Sequence, residues 1–411
     1  MNILVIMGDC ITVNTSANLC HLAYIKGLLD NGHNVTLVSA DAPEYNHDNS
    51  IQIPDGTNTV FYNGITLYER MSKKKSATSP NGVARSNTNS VSDRNNQKQS
   101  ISALVVRKLK DFWLSLYGPH GVYSKILKTA KAYKSSIDFD YVISLSTPPS
   151  SHLLTYKLLR SKHIKAKHWI QIWEDPWFGD AYGFNGKNKI FREEKRILSF
   201  AEKVCYVSPL TLKDRQRLFP ESADKMYWQP LPYYYKNDTR TQKKTRINQY
   251  GYFGDYAPAS RDLEPFYKAA VDCKIPVNIC GSPSNLFAST KKIQIYPRLP
   301  LNEIKPIEDK TNILIFLCNR KGGQIPGKIY QYSATYKTIL FILDGTDEEK
   351  QVLKEYFQKF NRYVFCENTV EDITRAIKDI ESGNIGDVVN EPIDAFNPKE
   401  TVRKILAGEN G

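Results

Sequence analysis

The chain is predicted to be an α/β protein built as two parallel-sheet domains, and three observations predict it. Short apolar, β-branched runs alternate with segments of helical period throughout, as in βαβ units rather than hairpins. The length, 411 residues, is more than one hydrophobic core usually serves, and either half is long enough to bury its own. The stretch Gly322–Asp344 (GGQIPGKIYQYSATYKTILFILD) forms a complete glycine loop, helix and strand, directly after another buried strand at Asn312–Cys318 (NILIFLC).

In the first half, Met1–Met7 is a strand and Gly8–Asn14 the loop after it. Ser16 and Asn18 open a helix carrying Leu19, Leu22, Ala23 and Leu29, which stops at Asn31-Gly32-His33 before the strand Asn34–Ser39. Residues 71–102 are dominated by Ser, Asn, Lys, Arg and Gln around Pro80-Asn81-Gly82, which predicts a mobile insert. Directly afterwards Leu104, Val105, Leu109, Phe112, Trp113 and Leu116 share one helical face, with Arg107, Lys108 and Lys110 elsewhere. Such a basic amphipathic helix suits packing on its own domain or contact with an anionic membrane surface. Tyr141–Ser146 is a buried strand ending at Thr147-Pro148-Pro149-Ser150-Ser151-His152, and His168–Trp173 is the next, ending at Glu174-Asp175-Pro176-Trp177. In a parallel sheet these carboxyl ends open on one edge, where ligands bind. Phe200–Val207 closes the domain, and Pro230-Leu231-Pro232-Tyr233 with the polar run to Arg246 is the expected connection.

The second half opens on Asn248–Gly254, a strand that delivers a glycine. Val277–Cys280 leads to Gly281 and Ser282, and Ile293–Ile295 leads to Arg298, so these residues stand at strand ends. After Asn312–Cys318 come Arg320, Lys321 and the glycine loop with Gln324. Pro326 takes a first-turn position, Gly327 and Lys328 open the helix, and Ile329, Ser333 and Tyr336 follow at helical spacing. Free backbone N–H groups, the positive dipole end and the lysine charge together suit a phosphate, although the same glycines would serve an ordinary crossover turn. Thr338–Leu343 and Tyr363–Phe365 are the last strands, and Val370–Ile380 and Phe396–Leu406 the last helices.

The formal net charge of +13, from 56 Lys+Arg against 43 Asp+Glu, points to an anionic partner. The basic residues are dispersed and no nucleic-acid-binding motif is present, so a phosphate-rich ligand and a membrane surface account for the charge better than nucleic acid. No apolar run approaches the roughly 20 residues of a membrane span, and the first residues lack a signal peptide's basic region and cleavage site. Seven cysteines without paired spacing predict reduced thiols and a cytoplasmic location, at the inner membrane face where the basic helix meets a membrane, and no CxxC or histidine cluster predicts a metal.

The segment GQIPGKIYQYSATYKTIL resembles the nucleotide-binding loop and helix of GT-B-fold glycosyltransferases, in the retaining, family-four-like group. The group's pattern is Pro-[Gly/Ser]-Lys, two apolar residues, Glu-Tyr, a small residue and Lys-Pro. Here Gln331 replaces the glutamate that holds the ribose, Thr338 replaces the proline, and Gly323 stands where a second glutamate is usual. Tyr250–Gly254 resembles the start of the group's second domain, where Gly-Arg and a later lysine clamp the pyrophosphate. Asp255 replaces that arginine, and Arg261 keeps the later charge. In the first domain Ser16-Ala17 replaces a common Gly-Gly.

The resemblance implies two Rossmann-like domains facing each other across a cleft. Residues 1–232 would form the acceptor side and 233–395 the nucleotide-sugar side, with 396–411 a terminal helix returning to the first domain. It implies a metal-independent transferase, without a resident cofactor, moving a sugar from a UDP-type nucleotide-diphospho-sugar to a surface-glycan or lipid-linked saccharide acceptor. Gly254, Arg261, Gly281, Ser282, Arg298, Arg320, Gln324, Pro326, Gly327, Lys328 and Gln331 would hold the nucleotide sugar. Asp175, with Glu174 behind it, would be the catalytic carboxylate, and Ser16, Asn18 and His152 would face the acceptor. The replacements at Asp255 and Gln331 keep open an alternative from another class, a non-catalytic GT-B partner subunit or chaperone of another glycosyltransferase. A GT-B sugar-nucleotide epimerase would need further cleft carboxylates and histidines.

Overall fold

The computed structural model describes residues 1–70, 118–179, 188–236, 247–321 and 323–411. The expected insert at 71–102, the amphipathic helix at 104–116, the connection from 237 onward and Gly322 lie outside the described residues. The chain divides into two compact units: Met1–Tyr206 with Arg215–Trp228 and Ile405–Asn410, and Val207–Asp214 with Gln229–Lys404 and Gly411.

The first unit holds a seven-stranded sheet in the order β3-β2-β1-β4-β5-β6-β7. Its strands are β1 (Asn2–Met7), β2 (Asn34–Asp41), β3 (Asn58–Asn63), β4 (Asp138–Leu145), β5 (Lys165–Trp173), β6 (Lys203–Tyr206) and β7 (Met226–Trp228), all paired in parallel. Ile3 to Met7 have no exposed surface, which is why β1 is a continuous apolar run rather than an alternating one. Helices α1 (Ser16–Asp30), α2 (Ser150–Arg160) and α3 (Asn188–Leu198) belong to this unit. Thr15 starts α1, its hydroxyl accepting from the Asn18 N–H.

The second unit holds a six-stranded parallel sheet in the order β10-β9-β8-β11-β12-β13. Its strands are β8 (Tyr250–Phe253), β9 (Val277–Cys280), β10 (Ile293–Tyr296), β11 (Ile313–Leu317), β12 (Thr338–Leu343) and β13 (Tyr363–Glu367). Helix α4 (Glu264–Asp272) follows β8, α5 (Leu301–Asp309) follows β10, α6 (Lys328–Tyr332) follows β11, and α7 (Asp347–Gln358) and α8 (Val370–Ser382) precede and follow β13. A core built from Tyr250, Phe266, Ile279, Ile315, Leu340 and Ile377 belongs to this unit. The final helix, α9 (Pro398–Ala407), begins in the second unit, and Ile405–Asn410 at the chain's end belong to the first.

One helix is shorter than its spacing predicts. Apolar period extends to Tyr336, yet α6 ends at Tyr332 after 5 residues. The Ser333 hydroxyl bonds back to the Ile329 carbonyl, and the buried Arg362 guanidinium collects the carbonyls of Thr335 and Lys337. Those carbonyls are thereby satisfied outside a helix, and the chain turns directly into β12.

Each sheet reverses its direction of strand addition once, between β1 and β4 in the first unit and between β8 and β11 in the second. At such a reversal the loops leaving the two neighbouring strands diverge and leave a crevice at the carboxyl edge. The residues that follow β1, β4, β8 and β11 therefore stand at the two positions where this architecture places ligands.

Candidate functional site

In the second unit the crevice is bordered by Gly254 after β8 and by Asn319 and Arg320 after β11. Gly281, after the neighbouring β9, has no room for a side chain: a methyl group there would lie 1.9 Å from the Gly254 carbonyl oxygen. That approach is possible only for glycine, and the backbone bonds Gly254 N–H to Cys280 O (2.9 Å) and Tyr256 N–H to Ser282 O (2.8 Å) hold it. Asp255 follows. Its carboxylate accepts from the Ser282 N–H at 3.1 Å and pairs with Arg298 Nη1 at 3.3 Å, so the residue that departs from the resembled pattern is neutralised within the loops themselves.

Arg261 ties these loops to the next strand. Its Nε donates to Asn319 Oδ1 (2.8 Å) and its Nη1 to the Asp255 carbonyl (3.1 Å), while Asn319 Nδ2 donates to the Gln324 carbonyl (2.9 Å). Arg320 is anchored through its own N–H to Ser260 O (2.8 Å) and through Nη1 to Pro258 O (3.0 Å), with Asp262 Oδ2 at 3.7 Å. The structure thus gathers Gly254, Arg261, Gly281, Ser282, Arg298, Arg320 and Gln324 around one sheet edge.

Gly327 caps α6 and Pro326 precedes it rather than taking a first-turn position, their carbonyls accepting from Tyr330 N–H and Ile329 N–H, both at 3.2 Å. Lys328 Nζ lies 3.6 Å from Glu308 Oε2 on α5, and 5.7 Å from the centre of the Tyr332 ring. Burial pushes the thiol of Cys280, the last residue of β9, up to about 12, with Glu308 adding to the rise and the Lys328 charge opposing it. Gln331 is engaged differently from a ribose ligand. Its Oε1 accepts from the N–H groups of Tyr234 (2.9 Å) and Tyr235 (3.4 Å), and its Nε2 donates to the Tyr235 carbonyl (2.6 Å). One amide hydrogen is left for a ligand.

In the first unit, the edge between β1 and β4 is polar and largely buried. Gly8 N–H donates to Ser151 Oγ at 2.8 Å, which ties the loop after β1 to the start of α2. His21 Nε2 lies 3.2 Å from Glu174 Oε1 and 3.1 Å from the Ser146 carbonyl, with both side chains nearly inaccessible. Burial pulls the His21 pKa down, but the Glu174 charge and hydrogen bond and the Ser146 carbonyl outweigh it, so the net direction is up. Burial raises Glu174 against the opposing His21 charge, with Asp175 adding to the rise. The pair consequently keeps its proton to higher pH than a free histidine would. Asp175 is half-buried at the strand end and accepts from the Thr147 hydroxyl at 3.3 Å.

Of the residues expected at the acceptor, Ser16 is exposed at the start of α1, whereas Asn18 and His152 have no exposed surface. Asn18 Nδ2 holds the carbonyls of Cys10 and Val13, both at 2.8 Å. The His152 ring lies 4.3 Å from the Trp173 ring, and its Nδ1 is 2.7 Å from Ser144 Oγ. Burial holds His152 well below the usual histidine value, with the His120 and His21 charges adding to the fall, so it is a neutral core residue. Spacing did not reveal the pairing of His21 with Glu174. Nor did it reveal a grouping of Cys10, Asp41 and His47, where a thiol, a carboxylate and an imidazole lie within 4.8 Å of one another. No helix among the described residues is long and apolar enough to cross a membrane.

No protein-family profile matches the chain, and no curated protein does. Solved structures match it along its length. An E. coli trehalose-6-phosphate protein bound with UDP-2-fluoro glucose is similar with a TM-score of 0.53 at 9% identity, covering 100% of this chain and 96% of the other. The lipopolysaccharide outer core galactosyltransferase WaaB in its apo form is similar with a TM-score of 0.51 at 10% identity, covering 99% of each. The UDP-GlcNAc 2-epimerase of Methanocaldococcus jannaschii is similar with a TM-score of 0.50 at 10% identity, covering 99% of each. The chain has the GT-B type of α/β fold, two Rossmann-like units with all-parallel sheets of 7 and 6 strands.

Proposed function

We propose that this protein is a glycosyltransferase that takes a sugar from a nucleotide-diphospho-sugar, of UDP type, and passes it to a surface-glycan or lipid-linked saccharide. The observation that carries the reading is the arginine-rich edge at the reversal between β8 and β11, where Arg261 joins both loops through Asn319 and Asp255. A donor sugar leaves a nucleoside diphosphate, and the negative charge growing on that leaving group must be met. Arg261 supplies positive charge for it without a divalent ion, and Arg298, Arg320 and Lys328 add theirs by turning from their carboxylate partners Asp255, Asp262 and Glu308. Gly254 and Gly281 let a phosphate approach the backbone closely. Gln331 contributes its remaining amide hydrogen to the ribose, and Gln324, Pro326, Gly327 and Ser282 line the same edge.

In the transfer, the bond between the sugar's anomeric carbon and the diphosphate oxygen breaks, and the acceptor hydroxyl oxygen takes that carbon. Asp175 orients the acceptor hydroxyl and receives its proton, and the buried Glu174–His21 pair sets the charge behind it. The acceptor oxygen approaches on the same face that the diphosphate leaves, so the sugar keeps its anomeric configuration. The similarity to an epimerase shows that this fold also serves chemistry at a nucleotide sugar without an acceptor, so transfer itself must be measured.

The test is a thermal-shift panel of UDP, GDP, CMP and dTDP, followed by radiolabelled sugar transfer to saccharide and lipid-linked acceptors without added magnesium or manganese. UDP is expected to raise Tm most, by mass action, and transfer to proceed. Asp175→Ala is expected to leave the UDP shift intact and abolish transfer. Tight nucleotide binding with no transfer across the panel would instead identify a non-catalytic partner subunit. Transfer that occurs only with a divalent ion would overturn the metal-free mechanism.

A further inference from the structure

We propose that Cys10, Asp41 and His47 form a binding site for a divalent cation of the zinc class, pinning the loop after β1 to the loop after β2. The site lies wholly within the first unit and plays no part in the transfer chemistry proposed above.

The three donor atoms come from segments far apart in sequence and lie within 4.8 Å of one another. Cys10 Sγ is 3.7 Å from Asp41 Oδ1 and 4.0 Å from His47 Nδ1. Zinc bonds of about 2.3 Å to sulfur and about 2.0–2.2 Å to nitrogen and oxygen place tetrahedral donors roughly 3.3–3.6 Å apart. The two separations from Cys10 therefore need to close by only a few tenths of an ångström, while the Asp41 carboxylate, now 3.6 Å from the other ring nitrogen, Nε2, has to swing toward Nδ1.

The histidine is already oriented as a ligand. Its Nε2 lies 3.0 Å from the Ala42 carbonyl, which can only accept, so Nε2 carries the ring proton. Nδ1 is then left with a lone pair on the side of Cys10 and Thr12. Zinc-ligating histidines are held in this way, with the far ring nitrogen on a carbonyl or carboxylate. Thr12 Oγ1 lies 2.7 Å from His47 Nδ1 and 3.4 Å from Cys10 Sγ, so its hydroxyl can turn from the nitrogen to donate to a thiolate.

The backbone around the donors is preformed. Asn18 holds the carbonyls of Cys10 and Val13, Asp48 N–H donates to Thr12 O at 2.9 Å, and Asn14 Nδ2 donates to Asp48 Oδ2 at 2.8 Å. Val13 and His47 also form an antiparallel bridge. Access is open, because the His47 and Asp41 side chains are 33% and 42% exposed while Cys10 is 1% exposed beneath them. One thiolate, one imidazole and one carboxylate make a donor set that suits zinc and its neighbours in the transition series. Magnesium and calcium prefer oxygen alone. A water molecule would complete the fourth position.

The experiment is titration of the full-length, metal-stripped protein with cobalt(II) as a spectroscopic stand-in, then with zinc in competition. One equivalent of cobalt is expected to produce a thiolate-to-cobalt charge-transfer band with the d–d bands of a tetrahedral site, and zinc to erase both. Cys10→Ser is expected to remove the charge-transfer band. His47→Gln and the surface substitution Asp41→Asn should each weaken zinc at least tenfold, and Cys366→Ser should change nothing. Circular dichroism identifies any variant that does not fold, and the exposed Asp41→Asn keeps the test decisive in that event. Wild-type protein without a thiolate band, a band that survives in Cys10→Ser, or unchanged zinc affinity in Asp41→Asn would each overturn the proposal.

Discussion

A single methyl group probes the sheet edge on which the nucleotide reading rests. Gly281→Ala would place a carbon 1.9 Å from the Gly254 carbonyl oxygen, and both atoms are held by strand-end hydrogen bonds, so the strands themselves must part. Overpacking of this kind costs about 1–3 kcal/mol, and chemical denaturation should record a loss in that range or above it. A neutral result would mean that the two strand ends are not in contact. Gln331→Ala acts on a different bond set. It leaves the N–H groups of Tyr234 and Tyr235 without their amide acceptor, at about 1–3 kcal/mol of stability. It should also weaken uridine and UDP by a similar factor, since its proposed partner is the ribose that both carry. Weaker binding of UDP alone would move this residue to the phosphates. At this scale the sequence locates consecutive residues such as Pro326-Gly327-Lys328 at the start of α6, and is silent where an arrangement depends on loop paths. Neither the Lys328–Glu308 pair nor the Arg298–Asp255 pair has a signature in spacing.

The buried histidines give the elements at the first sheet's edge a pH dependence. His152 on α2 stays neutral in the fold, its pKa well below the ordinary 6.5, whereas the unfolded chain protonates near that value. Below about pH 6.5 the unfolded state therefore binds more protons, and stability falls as pH falls. His21 has the opposite sign: its raised pKa contributes stability that is complete below 6.5 and is lost as pH rises through the folded value. Urea unfolding of the wild type and of His152→Gln between about pH 5 and 6.5 separates them. The variant should lose up to about 1.4 kcal/mol per pH unit of slope. Equal slopes would mean that His152 takes up a proton within the fold.

Among the elements, the buried strands were legible because both faces are covered and every position after the first is apolar, as in β1, β11 and β12. The edge strand β3, NTVFYN, is half-exposed and mixes polar with apolar residues, so it left no such run. Helix α5 carries an exposed Pro306 in its interior, which speaks against a helix locally. Helix α7 was missed despite its capping box, in which Thr346 accepts from Glu349 N–H and the Glu349 side chain accepts in return from Thr346 N–H.

At the scale of the whole molecule, the two units share one plan, an all-parallel sheet with one reversal, and differ in the chemistry at that reversal. The first unit places a buried histidine–carboxylate pair there, and the second places arginines and glycines. The net charge of +13 is consistent with an anionic ligand, whose affinity should fall as ionic strength rises. The most direct test of the account is calorimetry of UDP and of uridine with the wild type and Lys328→Ala. Loss of a charge-assisted contact of about 1.5–3 kcal/mol predicts UDP affinity lower by about one to two decades, with uridine binding nearly unchanged. An equal loss for both ligands, or no loss for either, would remove the diphosphate from this loop and contradict the account.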